Sequence, residues 1–308
     1  MFAFALFAAC SEPTTDPSSN EPEVVDFVTE FPAAPTGGLE WVTPELIVEP
    51  QSDVMFCTFD TYTGPTIGLH AQYGWQSPFG HHVTLNETTM SPLDQPDGAT
   101  VDCSGASTET MVDVQPIMVG GDVSGITLPD GQAAYLSTGT RIIIQSHYVN
   151  TTTDRIRVKD AIQFATIPEA DVETWVAPFV YVNTDHPIPA GGTLSIDFDC
   201  TWDTDVNLLF LGGHMHEWGT AYSVDHTPAG GATSRIYDIP VWDTEYRDAP
   251  LYNNYAMGEF PVAAGDTFKT TCSWENDTDD TLAFPEEMCA TFGMYYPGKT
   301  PWICDATP

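Results

Sequence analysis

The sequence predicts an all-β protein made of two tandem antiparallel β-sandwich domains of jelly-roll-like type. Short runs rich in Val, Ile, Thr, Tyr and Phe, such as RIIIQSHYVN, TLSIDFDCTW and VNLLFLGGHMH, are separated by Gly, Pro, Asp and Asn. No segment shows the apolar spacing of an amphipathic helix. The chain has 308 residues, which is long enough for two such domains.

Four segments are expected in chain order. Residues 1–10 are typical of a signal or lipoprotein segment. Residues 11–45 are rich in Pro, Ser, Thr and acidic residues, which predicts a flexible, disordered tether. An N-terminal domain is expected over 46–172 and a C-terminal domain over 173–308, because the turn-like stretch VNTDHPIPAGGT lies near the seam.

The first segment ends in an apolar run, Phe7-Ala8-Ala9-Cys10, after which the chain becomes polar. Small residues before a cysteine are typical of a bacterial lipoprotein cleavage site, with Cys10 as the lipidated first residue. No Lys or Arg precedes the run, so an ordinary secretory signal is the alternative. Both interpretations predict export. The run is too short to span a bilayer as a helix, and no later segment qualifies.

The composition narrows the range of partners. The formal net charge is −36, with only eight Lys plus Arg, so the surface repels phosphates and we expect no nucleic-acid partner. The acid excess serves solubility, or it creates a field that attracts cations. Without Cys10, six cysteines remain, and none forms a Cys-x-x-Cys pair. In an exported protein an even set of this kind indicates three disulfides, for which 15 pairings are possible.

Five of the eight histidines lie in three compact motifs, FGHHVTLNE, IIIQSHYVN and GGHMHEWG. His214 and His216 share a strand face, so they could bind one metal ion or be two surface residues at a strand end. His81 and His82 are adjacent, so they can share a metal only at a bulge or a strand end, which Gly80 favours. The remaining histidines are expected to be surface or structural residues: His70, His186 and His226.

Met288 and Met294 lie near the C-terminus in FPEEMCATFGMYYPG. A methionine in an apolar strand is usually a packing residue, and Met294 is expected to be one. Met288 follows two glutamates and precedes a cysteine, which places it at the start of a strand. Two imidazoles with one thioether suit copper, above all Cu(I), whereas three imidazoles suit copper or zinc alike.

The order of these motifs resembles the copper type II, ascorbate-dependent monooxygenases, the family of peptidylglycine α-hydroxylating monooxygenase and dopamine β-monooxygenase. The shared elements are His-His, Gln-x-His-Tyr, His-x-His, Glu-Met-Cys and Met-Tyr-Tyr. They occur in the same order, and the resemblance runs from about Asp53 to Cys304.

The resemblance implies two antiparallel domains of eight or nine strands, with two copper ions facing each other across a copper-lined cleft. The N-terminal domain would hold an electron-storing copper, and Gln145 would be a candidate for electron transfer. The C-terminal domain would hold the oxygen-activating, catalytic copper, and ascorbate or a similar reductant would be the co-substrate. The implied ligands are His81, His82 and His147 for the first copper and His214, His216 and Met288 for the second. The implied disulfides are Cys57–Cys103, Cys200–Cys304 and Cys272–Cys289.

The sequence departs from the family at the substrate-binding positions of peptidylglycine α-hydroxylating monooxygenase, the peptide-amidating enzyme. Gly212 stands in place of an arginine that binds the substrate carboxylate. Ala290 and Phe292 replace an asparagine and a tyrosine. None of the three can bind a carboxylate. We therefore expect an apolar pocket and a small organic substrate other than a glycine-extended peptide.

The expected function is hydroxylation of an unactivated C–H bond with O₂ by a monomer attached to a membrane only through its lipid. Two alternatives stay open. One is a non-catalytic copper protein for storage, sensing or delivery, and the other is a structural or adhesive surface lipoprotein whose histidines are incidental.

Overall fold

The structure is a computed structural model that describes residues 23–105, 113–119, 125–247, 249–284 and 286–306. Cys10 and the first segment lie outside these ranges. Strands dominate the described residues, which confirms the all-β prediction, and the helical residues form the short 3-10 helices Glu169–Asp171 and Thr244–Arg247. No helix within the described ranges is long and apolar enough to cross a lipid bilayer.

Thirteen strands precede the first 3-10 helix. They are β1 (Val24–Asp26), β2 (Leu39–Val42), β3 (Leu46–Val48), β4 (Ser52–Thr61), β5 (Ile67–Gln76), β6 (Gly80–Glu87), β7 (Thr100–Asp102), β8 (Gln115–Pro116), β9 (Ile126–Thr127), β10 (Gln132–Leu136), β11 (Arg141–Asn150), β12 (Arg155–Val158) and β13 (Asp160–Pro168).

Ten strands follow it. They are β14 (Thr174–Asn183), β15 (Thr193–Thr201), β16 (Val206–His214), β17 (Gly219–Thr227), β18 (Ser234–Ile239), β19 (Tyr252–Asn254), β20 (Pro261–Val262), β21 (Thr267–Glu275), β22 (Cys289–Tyr296) and β23 (Trp302–Asp305).

These strands form four sheets. The largest has 11 strands. Eight follow the order β19-β16-β22-β14-β10-β5-β13-β2, and β20, β23 and β9 pair with β16, β14 and β5, respectively. A five-stranded sheet, β7-β4-β11-β6-β8, and a three-stranded sheet, β1-β12-β3, belong to the N-terminal half. A four-stranded sheet, β15-β21-β17-β18, belongs to the C-terminal half.

Each half is a sandwich because a smaller sheet packs on one part of the large sheet. In the N-terminal half, Leu85 and Ile144 of the five-stranded sheet share a buried cluster with Leu69 and Phe164 of the large sheet. In the C-terminal half, residues of the large sheet and of the four-stranded sheet form a second cluster. Its largest members include Phe179, Tyr181, Tyr222, Phe268 and Trp274.

The large sheet runs through both halves without a break. Its N-terminal strand β10 pairs in parallel with the C-terminal strand β14, from Gln132↔Thr174 to Ala134↔Val176. Parallel pairing also joins β1 to β12 and β14 to β23, so the sandwiches are mainly, but not wholly, antiparallel.

The tether prediction is wrong for residues 23–45. Strand β1 pairs with β12, and β2 pairs with β13, so this segment is part of the folded body. The physical reason lies in its apolar side chains. Trp41 packs edge to face against Phe164 at a centroid distance of 5.8 Å and against Tyr62 at 6.2 Å. The burial of these rings outweighs the polar composition around them.

All three disulfides pair as the resemblance implied: Cys57–Cys103, Cys200–Cys304 and Cys272–Cys289. The last two join the four-stranded sheet to β23 and β22, so they cross-link the two faces of the C-terminal sandwich. A native disulfide in a small exported domain typically contributes about 2–5 kcal/mol. Three disulfides indicate an oxidising, exported environment.

A buried carboxyl group lies at the start of β13. Asp160 is fully buried; the Tyr148 hydroxyl donates a hydrogen bond to its Oδ1, and Gln76 Nε2 donates to its Oδ2 at 3.4 Å. Burial raises the pKa of Asp160 to about 6, because the charged form is poorly solvated in the core. The folded protein therefore binds this proton more tightly than the unfolded chain, in which an aspartate has a pKa of about 4.

We expect the stability contributed by the Asp160 proton to be complete below about pH 4 and lost as the pH rises through about 6. The loss amounts to roughly 3 kcal/mol, because each pKa unit corresponds to about 1.4 kcal/mol. Denaturant unfolding between pH 4 and 7 should show this decline in the wild type and a smaller one in Asp160→Asn. Asp94→Asn, at an exposed site, is the control and should decline like the wild type. An equal decline of the free energy of unfolding in wild type and Asp160→Asn would contradict the raised pKa of Asp160.

Candidate metal centres

The first histidine set forms at a bulge between β6 and β11. His147 lies opposite His82, but the next residue, Tyr148, lies opposite Gly80, so His81 is the extra residue. An extra residue of this kind turns two consecutive side chains away from strict alternation. The bulge that the sequence required for a shared His81–His82 site is therefore present, and it begins at Gly80.

The three imidazoles of this set converge. Ring centroids lie 4.6 Å apart for His81 and His147, 4.9 Å for His82 and His147, and 5.4 Å for His81 and His82. One ring nitrogen from each lies within 4.8 Å of the others. The Nδ1 atoms of His81 and His82 are 3.2 Å apart. The three residues can thus reach one small ion.

The ring of His147 is oriented from outside the set. Its Nε2 donates a hydrogen bond to Asp53 Oδ1 at 2.5 Å. Its Nδ1 is buried and has no hydrogen-bond partner among the described residues. A buried polar atom without a partner is costly unless a ligand satisfies it. A carboxylate on the outer nitrogen is also the usual arrangement for a metal-binding histidine. These observations fit a metal at the first set.

Arg247 joins the two histidine sets. It lies at the end of the 3-10 helix Thr244–Arg247 in the C-terminal half, and its Nη2 donates to His81 Nε2 at 3.0 Å. Its Nη1 donates to Glu217 Oε1 at 2.8 Å, and Glu217 directly follows His216. The guanidinium therefore bridges the N-terminal set and the loop that carries the second set.

Gln145 lies on β11 two residues before His147, so both side chains point to the same face of the strand. It is opposite Thr84, whose hydroxyl donates to Gln145 Oε1 at 3.5 Å. The Gln145–Thr84 pair lies two register positions from the His82–His147 pair, with the Ser146–Val83 pair between them. Its role as a candidate for electron transfer stays a prediction.

The second histidine set lies where β16 ends. His214 is the last residue of this strand, and the Nε2 atoms of His214 and His216 are 3.1 Å apart. His216 Nδ1 donates to the carbonyl oxygen of Glu286 at 2.9 Å. A neutral His216 therefore keeps its lone pair on Nε2, next to His214. Two imidazole nitrogens with this orientation can bind one metal ion.

Met288 directly precedes β22, which pairs antiparallel with β16. Ala290 lies opposite His214, and this is the last pair of the two strands. The same register, continued by two residues, would put Met288 opposite His216. The side chain of Met288 is half-buried, and the next residue, Cys289, is bonded to Cys272 of β21. This position agrees with a thioether ligand at the second set. Met294 is fully buried in the core of the N-terminal half, as expected of a packing residue.

The three pocket candidates lie beside the second set. Gly212 is opposite Phe292 on one side and Tyr252 of β19 on the other, so one row crosses three strands. The rings of Tyr252 and Phe292 pack edge to face at 5.9 Å. A Cβ on Gly212 would lie 3.0 Å from the Tyr252 ring, which occupies the space of a larger side chain. Ala290 lies in the next row on this face, opposite His214, so apolar residues flank the second set.

The three isolated histidines lie outside both sets. His70 Nδ1 bonds to the carbonyl oxygen of Gln132 at 2.9 Å. His226 Nε2 bonds to buried Asp266 at 2.9 Å. His186 is buried and stacks on Trp274 at 4.6 Å. These contacts agree with the expectation that all three are surface or structural residues.

Sequence reasoning missed four residues around the sets: Asp53, Arg247, Tyr252 and Glu287. Asp53 and Arg247 lie 94 and 166 residues from their histidine partners, and no motif marks them. Glu287 had a usable signal, because it directly precedes Met288. Tyr252 becomes relevant only once β19 is known to pair with β16.

Replacing Asp53 with Asn tests the first set. The substitution leaves the three imidazoles in place but weakens the hydrogen bond that orients His147. If this set binds Cu(I), we expect its affinity to fall about 10–100-fold, the usual effect of losing such a partner. Competition with a chromophoric chelator measures this affinity. Asp94→Asn makes the same charge change at an exposed site and should have no effect; equal affinities in both variants would count against the site.

No protein-family model matches the chain, and no curated protein matches it. Among solved structures, it is similar to the infectious bursal disease virus VP2 subviral particle, with 9% identity and a TM-score of 0.22 over 85% of this chain and 72% of that chain. It is also similar to the infectious bursal disease virus Gx strain, with 10% identity and a TM-score of 0.20 over the same shares.

Proposed function

We propose that the protein is an exported copper-dependent monooxygenase, similar to the copper type II ascorbate-dependent family, that hydroxylates an unactivated C–H bond with O₂. One observation carries the proposal. His147 converges with His81 and His82, which lie far from it in the sequence. His214 and His216 form a separate two-imidazole set, and Met288 lies two residues before Ala290, the strand partner of His214. The first donor set suits copper or zinc, and the second suits Cu(I).

Copper bound at the two sets would supply one electron each for the reduction of O₂, with ascorbate or a similar reductant as their source. The remaining work falls to the chain's own residues. Asp53 orients His147, and the Glu286 carbonyl fixes the His216 proton on Nδ1. Arg247 holds the loop after His216 near His81. No protein general base is assigned.

The apolar row supports a small organic substrate without a carboxylate. Tyr252 and Phe292 offer ring edges and faces, and Gly212 and Ala290 offer no hydrogen-bonding side chain. Such a surface suits hydrophobic or aromatic groups, whose burial is favourable by about 25 cal/mol per Å². The row flanks His214, where the oxidising chemistry would take place.

The second candidate is a non-catalytic copper protein for storage, sensing or delivery. The same residues favour it, because Gly212, Ala290 and Phe292 lack the carboxylate contacts of the peptide-amidating enzyme. Substrate-dependent O₂ uptake separates the two functions. The test measures O₂ uptake by copper-loaded protein with ascorbate, in the presence of amines, peptides or hydrophobic small molecules. Uptake with none of them would favour the second candidate.

We also propose that a lipid on Cys10 anchors the mature protein at the cell envelope. The support is the apolar run that ends in Ala-Ala-Cys, outside the described residues, together with the three disulfides that indicate export. Mass spectrometry of the mature N-terminus tests it. A terminus elsewhere, without lipid, would refute the anchor and leave the copper proposal intact.

Met288→Ile tests the oxygen-activating set. Isoleucine keeps a similar apolar volume, so the fold should tolerate it. Wild-type protein should bind about two copper equivalents, one for each set. The variant should bind the first normally and the second at least about tenfold more weakly. Its substrate-dependent O₂ uptake should be almost lost. Elemental analysis after desalting and an oxygen electrode give the two readouts.

Met294→Leu is the matched control, because Met294 is a buried packing residue whose exchange for leucine typically costs less than about 1.5 kcal/mol. It should keep most of the activity. Wild-type turnover in Met288→Ile would remove Met288 from the second set, and zinc retained in place of copper would end the whole proposal.

Glycine-extended peptides should be poor substrates. Burying their carboxylate unpaired on the apolar row costs several kcal/mol, and each 1.4 kcal/mol or so is a factor of ten. We expect kcat/KM to be at least about a hundredfold lower for such a peptide than for its methyl ester, which differs only in charge. Efficient turnover of the acid would show that a cation near the pocket binds it, and Arg247 would be the first residue to replace.

A further inference from the structure

Glu287 is a fully buried residue with a carboxylate that accepts three hydrogen bonds. Its Oε2 accepts from the backbone N–H of His216 at 2.9 Å and from Trp274 Nε1 at 2.9 Å. Its Oε1 accepts from the backbone N–H of Trp218 at 2.7 Å. A buried carboxylate is costly unless donors of this kind replace water. Here the donors come from the loop after β16 and from β21.

These bonds connect the two segments that form the second set. Residues 216–218 follow His214, and residues 286–288 lead into β22. Glu286 adds its carbonyl bond to His216 Nδ1 at 2.9 Å. His216 is therefore held at its backbone by Glu287 and at its ring by Glu286. Trp242 Nε1 fixes the His216 carbonyl from the other side at 3.1 Å.

The position of Glu287 in the chain links these hydrogen bonds to Met288. It directly precedes Met288, so a carboxylate that binds the His216 backbone also fixes the start of the strand that carries the thioether. The Cys272–Cys289 disulfide holds the following residue. Met288 is thus placed between two anchored neighbours. Of these two neighbours, Glu287 is hydrogen-bonded to the segment that carries His216.

We propose that Glu287 is a positioning residue that holds His216 and Met288 in register for one metal ion. The inference rests on the assignment of His214, His216 and Met288 as the second set in the proposed function. It predicts that the buried carboxylate organises the second set and has no part in the first, whose residues lie in the N-terminal half.

Glu287→Gln tests this, because glutamine keeps the size but presents an N–H group to the donors of the loop. The probe is Cu(I), titrated without O₂ or substrate against a chromophoric chelator. We expect the second equivalent to bind about 10–100-fold more weakly, as for other residues that orient ligands, and the first to be unchanged. X-ray absorption of the Cu(I) protein should also show reduced sulfur scattering.

Glu169→Gln is the matched control, since it makes the same change at an exposed side chain outside both sets. It should retain both affinities. If Glu287→Gln does not fold, Glu287→Asp, which keeps the charge on a shorter side chain, decides in the same way. Wild-type affinity and sulfur scattering in the folded variant would overturn the inference.

The readout separates this inference from the proposed function. Cu(I) binding requires no turnover, so protein without oxygenase activity can still show the effect of Glu287→Gln. Conversely, an active wild-type enzyme whose second copper is unaffected by the substitution would contradict the role of Glu287 alone.

Discussion

The antiparallel pairing of β16 with β22 is the constraint on which the second histidine set depends. This register places Ala290 opposite His214, and continued by two residues it would bring Met288 level with His216. A shift by one residue would turn every side chain of β22 to the other face of the sheet. The Cys272–Cys289 disulfide and the buried Glu287 both act at the end of this pairing, where strands otherwise fray.

Both histidine sets follow one design. The first lies at the bulge between β6 and β11 and the second at the end of β16, and at both places side chains can leave the strict alternation of the sheet. In each, a hydrogen-bond acceptor fixes one ring from outside, Asp53 for His147 and the Glu286 carbonyl for His216. The rings therefore direct their remaining nitrogens inward. Some of the acidic residues that give the chain its charge are thus part of the architecture of the sets.

The sequence was sufficient for the fold class and for the local distortion at Gly80, because both depend on neighbouring residues. Alternating apolar residues identify strands, and two adjacent histidines demand a bulge. It was insufficient for Asp53 and Arg247, since their histidine partners lie far along the chain and only the tertiary fold brings them together. The segment 23–45 was misjudged because its composition is polar on average, whereas a few apolar side chains such as Trp41 decide its position.

The parallel pairing of β10 with β14 carries one large sheet through both halves. Main-chain hydrogen bonds beside the buried residues Ala133, Ala134 and Val176 would have to break before the halves could separate. Unpaired amide groups in such an apolar setting are costly. Unfolding of one half would therefore expose the sheet edge of the other half and destabilise it. We therefore expect the two sandwiches to unfold together, as one cooperative unit, although each resembles a separate domain.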